Sequence, residues 1–117
     1  MIIAVDFDGT IVTHEYPGMG KPVPGALEKI KAWIKKGHQI VLNTMRGDTK
    51  LAEAVSYLED NGVTLSGVNK SEGQEVWTSS PKVYAHVYVD DAAYGCPLVY
   101  DKKICNRHFV DWSKIDI

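Results

Sequence analysis

The apolar run Met1-Ile2-Ile3-Ala4-Val5 leads directly into Asp6-Phe7-Asp8-Gly9, with no turn residue between them. A short β-branched run without polar alternation is the pattern of a strand buried on both faces, as in the interior of a parallel sheet. Ionised carboxylates cannot follow such a run into an apolar interior unpaired. Burial on both faces makes this strand a central one, and Asp6 and Asp8 stand where it stops. Residues 2 to 7 are predicted as this first strand. Asp6 and Asp8, two apart in extended backbone, leave on one face about 6 to 7 Å from each other.

The rest of the chain repeats the theme. Residues 9 to 24 are punctuated by Gly9, Pro17, Gly18, Gly20, Pro22 and Pro24, which predicts a loop or small hairpin able to act as a flap. Ala26, Leu27, Ile30, Trp33 and Ile34 recur at helical spacing over 25–36, with Gly37 as the stop. His38 to Thr44 contains the buried run Ile40-Val41-Leu42. A second helix presents Leu51, Ala54, Val55 and Leu58, with Asp48 as its N-cap and Asn61-Gly62 as its end. Residues 63–68 are a weaker strand and 69–81 a polar loop. His86 to Val89 form a strand that delivers Asp90 and Asp91, and 98–100 form a further short strand. Phe109, Val110, Trp112 and Ile115 are expected to dock the tail as a half-helix. Strands alternating with helices predict an α/β fold, a three-layer αβα Rossmann-like parallel sheet with helices on both faces. In such sheets ligands bind outside the carboxyl ends of the strands. The residues there are Asp6 to Asp8, Asn43 to Arg46, and Asp90 with Asp91.

Composition narrows the class of function. The 117 residues carry 13 Lys and Arg against 15 Asp and Glu, a net charge of −2, and 44% are hydrophobic. That is enough apolar material for one domain spanning 1–117, with no broad basic face for a nucleic-acid backbone. No apolar stretch approaches the roughly 20 residues of a membrane span, and the first apolar run is too short for a signal-peptide core. Cys96 and Cys105 lack metal-ligand spacing and are expected as free thiols in a cytoplasmic protein.

If the first strand and the one ending at Asp90 are neighbours, Asp6, Asp8, Asp90 and Asp91 crowd one crevice. Two such charges at 4 Å repel by about 4 kcal/mol at an effective dielectric of 20. A cation must offset this. Oxygen ligands without His or Cys select a hard ion, and Mg²⁺ keeps open positions for water and phosphate. Thr44 offers a hydroxyl and Lys82 a point charge for phosphate oxygens.

Asp6-Phe7-Asp8-Gly9-Thr10 resembles the DxDGT signature of the haloacid dehalogenase superfamily of phosphohydrolases. Its other motifs have counterparts in order, in Thr44, Lys82 and the pair Asp90-Asp91. The resemblance implies a Mg²⁺-dependent phosphatase acting on a phosphate monoester through an aspartyl-phosphate. Asp6 would be the nucleophile and Asp8 the acid and base. Mg²⁺ would be held by Asp6, Asp90 and the backbone carbonyl of Asp8, with Asp91 bound through water or to Lys82. Gly9 would allow a sharp turn whose backbone N–H groups face the phosphate. Two departures concern the lysine and an arginine. Lys82 lies only eight residues before Asp90, so Lys70 competes for its role. Arg46 resembles the T-x-R of some members and either touches substrate or forms a surface ion pair.

Asp8 and Thr44 are 36 positions apart, and Thr44 and Lys82 are 38 apart. Neither interval holds a cap domain of ~50 residues or more, so the resemblance implies a capless member. An open site suits a bulky phosphorylated substrate, a homo-oligomer in which a neighbour covers it, or a phosphorylated small molecule loosely enclosed by His14, Tyr16 and Met19. The four histidines are otherwise expected as structural or surface residues. Trp33 and Trp112 are expected in the core, and Trp77 either there or as a substrate platform. The alternative is a non-catalytic phosphate- or metal-binding module, or a receiver-like one, which would have no need of the second carboxylate at Asp8.

Overall fold

Alternating apolar residues, more than any propensity, set the architecture in the computed structural model, which describes residues 1–117. Strand β1 (Ile2–Val5) is followed by helix α1 (Ala26–Lys35), β2 (Gln39–Leu42), α2 (Asp48–Asp60), β3 (Gly67–Val68), β4 (Val87–Val89), β5 (Leu98–Val99) and β6 (Phe109–Val110). The first four strands form a parallel sheet in the order β3-β2-β1-β4. Strands β5 and β6 pair antiparallel in a separate ribbon. The fold is α/β and Rossmann-like, as the sequence predicts.

Alternation along β1 divides the interior in two. Ile3 and Val5, with Ile40, Leu42 and Val89, face both helices, meeting Ala26, Ile30 and Trp33 of α1 and Ala54 and Leu58 of α2 in one core. Ala4 and Val41 point the other way, onto Val83. The path β1-β2-β3 steps in one direction, so crossovers of one hand put both helices on one face. Only the return from β3 to β4 crosses the far face. The third layer is therefore thin, made by the segment 69–86 with a 3₁₀ turn at Gln74–Val76 rather than by a helix. The chain changes direction at β1 and β4, so a crevice opens between their carboxyl ends.

Several local expectations shift. The N-cap of α2 is Gly47, in extended backbone, and Asp48 makes no capping bond. Strand β3 keeps only two residues because Val63 and Leu65 turn into the core instead of pairing with β2. The tail forms β6 and a 3₁₀ turn at Trp112–Lys114. Trp112 is fully buried, 5.6 Å from Trp33 between ring centroids. The segment after Gly9 is a small hairpin, in which Thr13 N–H donates to Lys21 O and Val23 N–H to Ile11 O. Cys96 and Cys105 are free, and no helix is long and apolar enough to cross a membrane.

Candidate metal centre

The sheet register carries the acidic residues to one place. Val5 lies beside Val89 and beside Leu42, so the residues that follow each strand emerge side by side. Asp6 N–H still donates to Val89 O and Asn43 N–H to Val5 O, which extends the ladder just past the strands. Carboxylate oxygens of Asp6, Asp90 and Asp91 lie within 4.8 Å of one another. These three residues can hold a metal ion, and an all-oxygen anionic donor set suits a hard cation.

The electrostatics of the cluster call for such a charge. Burial, then a hydrogen bond with Asp91 and repulsion from Asp90, push Asp6 up to about 8, against the opposing hydrogen bond from Thr10. Without a cation the cluster relieves its repulsion by keeping a proton. Thr10 is fully buried and stitches the two strand ends together. Its hydroxyl lies 3.0 Å from Asp6 Oδ2 and accepts from Asp91 N–H at 3.2 Å. Trp112 Nε1–H donates to Thr10 O at 2.8 Å, and Val110 N–H donates to Gly9 O. The carboxyl-terminal ribbon thus braces the acidic turn from behind.

Asp8 lies apart from the cluster. Its oxygens accept from Arg46 Nε and Nη2, each at 2.8 Å. The Arg46 side chain is only 1% exposed and that of Asp8 18%, so the ion pair is part-buried rather than a surface one. Its guanidinium carbon is 5.1 Å from the ring centroids of both Phe7 and Tyr16, and Nη2 also donates to Gly18 O. Nη1 is buried without a partner. Arg46 thereby ties Asp8 to the flap hairpin. Thr44 follows β2, where its N–H donates to Asn69 Oδ1 and its hydroxyl accepts from Arg46 N–H.

Other expected residues fall differently. Gly9 donates its N–H to Val12 O, so that group does not face the site. Its role is steric: it has φ +84°, and a Cβ there would come within 2.1 Å of His14 and 2.4 Å of Asp91. Asp91 pairs with His14 Nε2 at 2.7 Å rather than with Lys82. Lys82 Nζ sits 5.7 Å from the Tyr88 ring centroid, and Lys70 pairs with Glu75 at 3.7 Å. Neither lysine forms an ion pair with the cluster. The cause is local: Val83 turns inward against Ala4 and Val41, which leaves its neighbour Lys82 exposed on the far face. Trp77 is exposed against Tyr84.

Sequence reasoning placed His14 on the flap but not its bond to Asp91, and it missed the roles of Thr10, Asn69 and the bracing bond of Trp112. Of these, only Thr10 carried a signal, its place in the Asp-Gly-Thr turn.

Among solved structures, that of a conserved protein from Bacteroides thetaiotaomicron is similar to this chain. The two share 37% sequence identity and a TM-score of 0.76 over 81% of this chain and 78% of that one. No protein-family model and no curated protein matches.

Proposed function

The chain belongs to the family of this conserved Bacteroides thetaiotaomicron protein, and from its own geometry we propose that it is a Mg²⁺-dependent phosphatase of the haloacid dehalogenase type, hydrolysing a phosphate monoester. The observation that carries the reading is the convergence of Asp6, Asp90 and Asp91 at the ends of adjacent strands, with Thr44 at the end of the next strand. Mg²⁺, when bound by these carboxylates, supplies the positive charge that lets one anion approach another.

Asp6 is the nucleophile, and the phosphoryl group passes to its oxygen as an aspartyl-phosphate. Thr10, bonded to Oδ2, restrains its rotation. The Thr44 oxygen accepts from Arg46 N–H, which leaves its O–H to donate to a phosphoryl oxygen. Asp8 gives a proton to the leaving oxygen and then takes one from the attacking water. Both of its oxygens accept one bond each from Arg46, which fixes the carboxylate's orientation and leaves a second lone pair on each oxygen for proton transfer. The substrate is a phosphorylated small molecule or a bulkier phosphorylated partner, since the intervals around Thr44 hold only the hairpin, two helices, two strands and a loop. The engagement of Asp8 by Arg46 is also what favours the second reading, a phosphate- or metal-binding domain without turnover.

Metal addition separates these readings. The folded state holds Asp6 at about 8 against its usual 3.8. A raised carboxyl contributes stability that is full below its unfolded value and lost as pH rises through the folded one. Added Mg²⁺ pairs with the ionised form, so its stabilising effect should grow between about pH 5 and pH 8, to several degrees in Tm. At the same pH, Mg²⁺ should support hydrolysis of 4-nitrophenyl phosphate and a chelator should stop it. A Mg²⁺ increment without hydrolysis would leave a binding domain; no increment at any pH would remove the metal centre.

A further inference from the structure

Beside the carboxylate cluster, on the other side of His14, lies a second polar cleft of about 300 Å³. Its walls include Lys21 on the flap hairpin, with Lys102, Lys103 and Asn106 on the loop between β5 and β6. The two elements are tied by Lys21 Nζ, which donates to Ile104 O at 3.2 Å. Three lysines thus line one cleft with a single acidic residue, Glu15, although the chain as a whole is net negative. Lys102 and Lys103 are exposed and form no ion pair, and the partner of Lys21 Nζ is a neutral carbonyl, so no residue there neutralises the lysines except Glu15. His14 joins the two sites directly, for it lines this cleft while its Nε2 bonds Asp91 Oδ2.

A concave surface lined by three cations and one anion focuses positive potential and favours an anionic group there. The anion that fits is a second phosphate on the substrate, since three ammonium donors and an amide match its oxygens with charge-assisted bonds. We propose that the substrate carries two phosphate groups, one reacting at Asp6 and the other seated among Lys21, Lys102, Lys103 and Asn106, with His14 as the wall between them. This rests on the phosphatase reading and narrows its substrate class to bisphosphorylated small molecules.

The test compares α,ω-alkanediol bisphosphates, from ethanediol to hexanediol, with the matching monophosphates. With the intact protein and Mg²⁺, at least one bisphosphate should exceed its monophosphate in kcat/KM by about ten-fold or more. The Lys102→Ala/Lys103→Ala protein should lose most of that ratio. Calorimetric binding to the Asp6→Asn protein, which needs no turnover, should show the same preference and the same loss. Hydrolysis of the monophosphates with no preference for any bisphosphate would overturn the second-phosphate site and leave the phosphatase standing. Preference that survives the double substitution would place the second phosphate elsewhere and overturn it too. No hydrolysis of any phosphate ester would instead overturn the underlying reading.

Discussion

Asp6→Asn is expected to lower Mg²⁺-dependent hydrolysis of 4-nitrophenyl phosphate by at least about a thousand-fold, the loss that follows when a covalent route is closed. An amide is nearly the same size as the carboxylate but carries no charge and attacks phosphorus poorly. The fold should survive, because the backbone bond from Asp6 N–H to Val89 O does not involve the side chain. Metal-free stability should rise. In the parent protein, burial and the neighbours Asp91 and Asp90 make the ionised form of Asp6 unfavourable, holding it at about 8, and asparagine removes that charge. A thermal melt above pH 8 should therefore give a higher Tm for the variant without metal and a smaller increment with Mg²⁺. Full turnover in Asp6→Asn would take Asp6 out of the chemistry.

Trp112→Ala is expected to destabilise the protein by about 3–5 kcal/mol, the usual cost of emptying a buried aromatic site. In a domain of this size that lowers Tm by more than ~10 °C. Trp112 packs against Trp33 and also holds Thr10 O through its indole N–H, so two losses coincide. The consequence reaches the site, because Thr10 spans Asp6 and Asp91. Trp112→Phe separates the effects: it refills most of the volume but cannot donate the bond. Circular-dichroism melts should place it between the other two proteins, with activity reduced even well below its Tm. Equal activity for the phenylalanine variant and the parent would confine Trp112 to packing.

The parts of this molecule legible in its sequence are those fixed by local burial. Ile3 and Val5 alternate with Ala4 because β1 has two apolar faces, and the chain must leave the interior where Asp6 begins. The same pattern located Thr44 and Asp90 at strand ends and the apolar stripes of both helices. What stayed hidden depends on residues far apart in the chain. His14 and Asp91 are separated by 77 positions and Arg46 and Asp8 by 38, and no periodicity links either pair. The direction of Lys82 follows from Val83 turning onto a sheet face that only a loop covers. Asp48 looked like a cap by composition, yet the turn from β2 into α2 places Gly47 in the capping position. Gly9 was legible as a sharp turn, but its tight approach to Asp91 exists only once β4 is beside β1.

The most direct measurement is acid quenching of the protein during turnover of a phosphate ester with Mg²⁺, followed by borohydride reduction and peptide mass spectrometry. An aspartyl-phosphate at position 6 is reduced there to homoserine, so the account predicts homoserine in place of Asp6, with Asp8, Asp90 and Asp91 unmodified. Sustained turnover with Asp6 intact, or with the modification on another carboxylate, would contradict it.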